Sequence, residues 1–197
     1  MAAPKMGVTP WLMAGAATLA IFLVSQWGRR KLLGYSYGSK TPGVASPDAG
    51  GGTLDRDPAN LVPAFADKVE ILFQRLRAAG FDPMLNEGLR TPERGRRLQE
   101  LGYSQIGPKS THVYGAAADI LSKSGGWAGS EPLWQAMGPM AEDLGLIWGG
   151  RWGFYDPAHV QAISTNVQRE FRALNPDDRQ AFVVADMGKR VTGVTLV

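Results

Sequence analysis

The chain has 197 residues, 44% hydrophobic and 20% charged, which suits one folded domain with appendages and excludes global disorder. Its formal charge of +3 is scattered, with no Lys/Arg stripe interleaved with aromatics, so nucleic-acid binding is not expected and only a mild attraction to anionic surfaces remains. Cysteine is absent and histidine occurs twice, so any metal must be held by nitrogen and oxygen, and a histidine site has few solutions.

In chain order, the first element is an uncharged stretch of 20 residues, Val8 to Trp27. As a helix it would span about 30 Å, the thickness of a bilayer core. Lys5 precedes it, Arg29, Arg30 and Lys31 follow it, and Trp11 and Trp27 stand where interfacial aromatics are expected. A membrane segment is predicted; a cleaved signal peptide fits less well, because the apolar run is long and no small-x-small site lies between it and the basic cluster. Its orientation stays open, because the positive-inside tendency would put the basic flank, and the domain after it, in the cytoplasm. Ala14, Gly15, Ala16, Ala17 and Ala20 make it only moderately apolar, so later release from the membrane is an alternative.

From Gly34 the composition turns to glycine and proline, including Gly50-Gly51-Gly52, which predicts a flexible tether over 34–59. Val62, Phe65, Val69, Leu72, Phe73 and Leu76 then recur at helical spacing up to Gly80. An extended segment follows over Met84 to Arg90, then a polar helix from Pro92 to about Leu101. Ala116 to Leu121 reads as a buried strand, Leu133 to Leu144 as a helix and Leu146 to Trp152 as extended. Asn166 to Ala173 and Asp177 to Met187 read as closing helices. Helices and short strands mix without βαβ alternation, which predicts an α+β fold.

The candidate chemistry lies in two segments. Ser110-Thr111-His112-Val113-Tyr114-Gly115-Ala116-Ala117-Ala118-Asp119 places an imidazole in the loop entering a strand and a carboxylate seven residues on, upon the strand. About 40 residues later, Asp156-Pro157-Ala158-His159 supplies the second imidazole. Two neutral imidazoles and one carboxylate suit zinc and leave a fourth position for water, the pattern of catalytic sites. Taken alone, a separated Asp and His pair is weak evidence, since histidines are commonly surface or core residues.

Both histidines, however, fall in segments that resemble one family. Ser110 to Asp119 is similar to the Ser-x-His-x-x-Gly-x-Ala-x-Asp motif of zinc-dependent peptidoglycan peptidases, which include D-Ala-D-Ala carboxypeptidases and phage L-alanyl-D-glutamate endopeptidases. Glu87-Gly88-Leu89-Arg90-Thr91-Pro92-Glu93-Arg94 resembles the family's arginine-bearing segment. Gly145-Leu146-Ile147-Trp148-Gly149-Gly150-Arg151-Trp152 resembles its Gly-Leu-x-Trp-Gly-Gly-x-Trp signature, followed by the Asp-x-x-His pair.

The resemblance implies a small antiparallel sheet with flanking helices, of the Hedgehog/DD-peptidase-like kind. It implies His112, Asp119 and His159 as zinc ligands, Asp156 as general base and Arg90 as donor to the substrate carbonyl or oxyanion. Alternatives for the last two are a turn-capping Asp156 and a surface ion pair for Arg90. Ser110 positions substrate or a ligand, or simply forms a turn. Trp148 and Trp152 bind substrate or build the wall beneath the site, and Gln161 contacts substrate, supports the centre or is exposed. Pro157 stands one place earlier than the family's usual proline, and Val160 replaces the usual phenylalanine. Carboxypeptidase members carry a glutamate in the Trp-Gly-Gly region, where Ile147 precedes Trp148 here; the Asp-x-x-His form favours the endopeptidase branch.

The expected organisation is therefore a membrane-anchor segment (1–33), the tether (34–59), a zinc peptidase domain (60–163) and a helical extension (164–197). The expected activity is hydrolysis of the L-Ala–D-Glu bond of peptidoglycan stem peptides in phage-type lysis, by a membrane-anchored enzyme acting on the cell wall. The alternatives are a D-Ala-D-Ala carboxypeptidase and a non-catalytic, zinc-stabilised envelope or virion module.

Overall fold

Pro63 opens the first helix, α1 (Pro63–Ala78), because proline at the first helical position presets φ and gives up an N–H that would lack a partner. Phe65, Val69, Leu72, Phe73 and Leu76 form its buried stripe, and Arg75 and Arg77 meet the negative end of its dipole. A computed structural model describes residues 51–191 of the chain. The stretch from Val8 to Trp27 lies outside them, and among the described residues no helix is long and apolar enough to cross a membrane.

Four strands follow: β1 (Pro83–Glu87), β2 (Ala117–Ser122), β3 (Ile147–Trp148) and β4 (His159–Gln161). They form an antiparallel sheet in the order β1-β2-β4-β3. All six residues of β2 are buried, as a central strand under helices requires. The register places Glu87 opposite Asp119, and Asp119 opposite His159. Opposed residues on antiparallel strands share a face with Cβ atoms about 4.5–5.5 Å apart, so three ionisable side chains form one row across the sheet.

The remaining helices are α2 (Pro92–Glu100), α3 (Glu131–Asp143), α4 (Gln168–Ala173) and α5 (Pro176–Gly188). Helix α1 packs against β1, α3 and α5. Phe65, Leu72, Ile120, Met137, Phe171 and Val183 share one core, so α4 and α5 are packed into the same body as the sheet. Arg190 ties α5 to it by donating to the Gly145 carbonyl at 2.8 Å and to Asp186, whose carboxylate also accepts the Ser164 N–H.

The α+β class and small antiparallel sheet agree with expectation, while several bounds differ for local reasons. The segment expected to be extended over Met84–Arg90 shifts register at a bulge between Leu85 and Glu87 and leaves the sheet after Glu87, where the Arg90 N–H turns to donate to the His112 carbonyl. The stretch from Leu146 to Trp152 is strand only at Ile147–Trp148; Gly149–Arg151 coils into a 3-10 turn. Helix α3 starts at Glu131, ahead of the first apolar residue, because Pro132 fits its first turn. The last part of the glycine-rich segment, from Gly51, lies against the domain: the Asp55 carbonyl accepts the Gly88 N–H at 2.7 Å.

Candidate metal centre

Two short devices bring His112 to the sheet. Ser110 caps the 3-10 turn Thr111–Tyr114, its hydroxyl 3.4 Å from the His112 N–H, and Gly115 closes it at φ 67. A side chain at Gly115 would be strained and would meet the Asn60 carbonyl at 2.8 Å. The turn delivers His112 over the row that carries Asp119 and His159.

The imidazole orientations are fixed from behind. His112 Nδ1 lies 2.7 Å from the Gly88 carbonyl, so this nitrogen is the donor and Nε2 keeps its lone pair. His159 Nε2 lies 3.1 Å from Gln161 Oε1, which also accepts from Thr111 Oγ1 at 3.1 Å, so His159 Nδ1 faces inward. Gln161 donates in turn to the Ile163 carbonyl, which sets the direction of its amide.

His112 Nε2, His159 Nδ1 and Asp119 Oδ1 consequently form a triangle with every side 3.2 Å. Zinc bonds of ~2.0–2.1 Å in a tetrahedron space their donors about 3.3–3.4 Å apart, so the three atoms fit such an ion without rearrangement. Two inward lone pairs and a carboxylate oxygen are mutual acceptors that a cation satisfies together. The group can hold a divalent metal ion.

Burial, reinforced by the Arg90 charge, lowers the pKa of His112 and keeps it a neutral donor. Burial alone would raise Asp119, but His112, His159 and Arg90 hold it well below the usual carboxylate range. Burial would likewise lower His159, yet the bond to Asp119 and the nearby Asp156 charge raise it. A proton on His159 therefore competes with a metal, and the sign follows: affinity falls as pH falls through the raised His159 value. Zinc titrations at a series of pH values are expected to show weakening on the acid side and proton release on binding.

Behind the triangle stands a buried ionic cluster. Glu87, 2% exposed, accepts from Arg90 Nε at 3.0 Å and Arg90 Nη2 at 2.7 Å, and from Arg94 Nε at 2.6 Å. Arg90 Nη2 also reaches Asp119 Oδ2 at 3.2 Å, leaving Oδ1 directed at the two imidazoles. Burial would raise Glu87, but the two arginines hold its pKa down.

Asp156 completes the arrangement. Burial pushes its carboxyl up to about 6, aided by Asp119 and opposed by His159 and Arg90. The turn Asp156–His159 closes with a bond from the His159 N–H to the Asp156 carbonyl and rests on Gly149. A Cβ at Gly149 would lie 2.4 Å from the Asp156 carbonyl oxygen and 3.2 Å from His159 Cβ. Gly149→Ala is expected to cost about 1–3 kcal/mol by overpacking and to displace both side chains, seen as a lower melting temperature with lost activity. The centre opens into a cleft of about 870 Å³, whose lips carry Tyr103, Ile106, Trp127, Trp152, Phe154 and Tyr155.

The family model described as D-alanyl-D-alanine carboxypeptidase matches residues 104–162, the segment that contains the whole triangle and Asp156. Over this segment the chain is similar to that family, and the donor triangle there is that of a metallopeptidase. Similar solved structures include VanY, the vancomycin-resistance D,D-pentapeptidase of a VanB-type cassette, in complex with Zn(II), at 17% identity, covering 56% of this chain and 76% of that one (TM-score 0.41). The L-Ala D-Glu endopeptidase ChiX of Serratia marcescens is 27% identical over 55% of this chain and 87% of its own (TM-score 0.40). The LD-carboxypeptidase LdcB is 18% identical over 66% and 68% (TM-score 0.40). Among curated proteins none matches the chain.

Within this metallopeptidase, the sequence-predicted residues divide by place. His112, Asp119 and His159 meet, and Arg90 and Asp156 line the same cleft. Ser110 lines it too, as the cap of the His112 turn. Gln161 sits behind His159, 2% exposed, with its amide committed to Thr111, His159 and Ile163. Trp148, expected to contact substrate or build the wall, is 2% exposed and outside the cleft lining; its Nε1 donates to the Pro157 carbonyl at 2.8 Å and braces the Asp156–His159 turn. Of this pair it is Trp152 that lines the cleft, its ring centre 5.0 Å from that of His159. Glu87, Arg94 and Thr111 were not singled out from sequence; the spacing of acid and arginines in Glu87-x-x-Arg90-x-x-x-Arg94 was the available signal.

Proposed function

We propose that this peptidoglycan-acting metallopeptidase uses zinc to hydrolyse the L-Ala–D-Glu bond of stem peptides. The observation that carries the proposal is the triangle of inward-facing donors with a half-buried carboxylate, Asp156, in the same cleft. Zinc, held by His112, Asp119 and His159, supplies Lewis-acid activation of a water and of the scissile carbonyl.

The side chains divide the remaining work. Asp156 takes a proton from the attacking water and returns it to the departing amine, a task suited to a carboxyl raised toward neutrality. Arg90, with Nε and Nη2 engaged by Glu87 and Asp119, offers Nη1 to the substrate carbonyl as negative charge develops on it. Trp152 covers one side of His159 and shields the centre from bulk water. The Asp-x-x-His spacing of Asp156 and His159 supports the endopeptidase form. Action on the cell wall, with residues 8–27 as membrane anchor, belongs to the same proposal.

Mass analysis of muropeptides digested with and without a chelator tests it. Release of peptides beginning with D-Glu, abolished by the chelator, is the expected result. Release of terminal D-Ala alone would assign the enzyme instead as a D-Ala-D-Ala carboxypeptidase, and uncut peptidoglycan would leave a zinc-stabilised module without catalysis.

A further inference from the structure

Arg94 touches neither the donor triangle nor Asp156 in any bond described above, yet it is 9% exposed and committed on two sides. Its Nε donates to Glu87 Oε1 at 2.6 Å, its Nη2 lies 3.4 Å from Glu87 Oε2, and its Nη1 donates to the Gly51 carbonyl at 2.7 Å. The segment that carries Gly51 is fixed along the outer side of β1. The Asp55 carbonyl accepts the Gly88 N–H at 2.7 Å, and Arg56 Nε donates to the Asn86 carbonyl at 3.2 Å. A continuous chain of bonds thus runs from Gly51 through Arg94, Glu87 and Arg90 to Asp119.

We propose that Arg94 is a positioning residue for the metal centre, locked by the Gly51 carbonyl and acting through Glu87 and Arg90 on the Asp119 carboxylate. The inference rests on the reading of His112, Asp119 and His159 as a divalent-cation site. Its physical basis is competition for one nitrogen. Arg90 Nη2 serves both Glu87 Oε2, at 2.7 Å, and Asp119 Oδ2, at 3.2 Å. Arg94 offsets the Glu87 charge and occupies both carboxylate oxygens, so Arg90 remains shared. Without that second fork Glu87 draws Arg90 toward itself, Asp119 loses its brace and Oδ1 is no longer held toward the imidazoles. Loss of a partner bonded directly to a metal ligand, as Arg90 is to Asp119, typically costs about 10–100-fold in affinity or activity, and Arg94, which acts through Arg90, falls at the lower end. The glycine-rich segment is then a working part of the domain from Gly51 onward.

Arg94→Lys in the full chain isolates the geometry, because it keeps the charge and loses the fork that reaches Glu87 and Gly51 together. Zinc affinity by chelator competition, kcat and KM, and the melting temperature of the zinc-free protein are compared with wild type. The expected result is a zinc Kd raised about tenfold and kcat lowered about tenfold, with KM within about twofold. Arg56→Ala, at an exposed position outside the ionic cluster, loosens the Gly51–Asp57 segment without risk to the core and is expected to raise the zinc Kd in the same direction. Unchanged zinc Kd and kcat in both variants, with or without a fall in melting temperature, would overturn the proposal. Wild type that takes up no zinc would remove the metal centre itself, and the proposal with it.

Discussion

Asp156→Asn is expected to lower kcat by about 10²–10⁴-fold while leaving zinc bound. The amide keeps the size of the carboxyl and the turn that holds it, since the bonds closing that turn come from the backbone of Asp156, Gly149 and His159. What it loses is basicity. In the zinc-free protein burial brings the Asp156 carboxyl up to about 6, near the pH at which a general base combines ionisation with driving force. A bound cation would draw this value down, so the acid limb of kcat/KM is expected at or below about pH 6. In steady-state assays KM should change little. An Asn variant with wild-type kcat would remove Asp156 from the chemistry.

Asp119→Asn is expected to strip the centre of metal, raising the zinc Kd by at least about 100-fold, beyond what loss of an outer partner alone produces. Two effects coincide at this residue. The cation loses its only anionic donor in the triangle, and the buried Arg90 loses one of its two anionic partners. The second effect is independent of metal: a hydrogen bond to a charged group is worth about 1.5–3 kcal/mol, so the zinc-free Asn protein should also unfold at lower temperature. Chelator competition and thermal denaturation read the two losses separately. Stoichiometric zinc retained in the Asn variant would contradict the assignment of Asp119.

The donors were legible in the sequence because the chain has so few candidates: two imidazoles, each in a distinctive segment, and no thiol. What the sequence does not print is register. That Glu87, Asp119 and His159 stand opposite one another follows from pairing between β1, β2 and β4, which joins residues 32 and 40 positions apart. The role of Arg94 is not legible in the sequence, because a charged helix start such as Pro92-Glu93-Arg94 has the composition of a solvated surface, although the fold buries Arg94. Trp148 and Trp152 are alike in sequence, and only the 3-10 turn at Gly149–Arg151 sends the first into the core and the second toward the cleft. The glycine-rich composition near Gly51 predicted freedom, whereas the Gly88 N–H donating to the Asp55 carbonyl and the Arg94 side chain donating to the Gly51 carbonyl, invisible to composition, hold the segment in place.

X-ray absorption at the zinc edge of the purified full chain reads the centre most directly. One ion per chain with two imidazole nitrogens and oxygen donors at about 2.0–2.1 Å is the predicted spectrum. A chain that holds no stoichiometric ion, or an ion whose shell lacks imidazole, would contradict it.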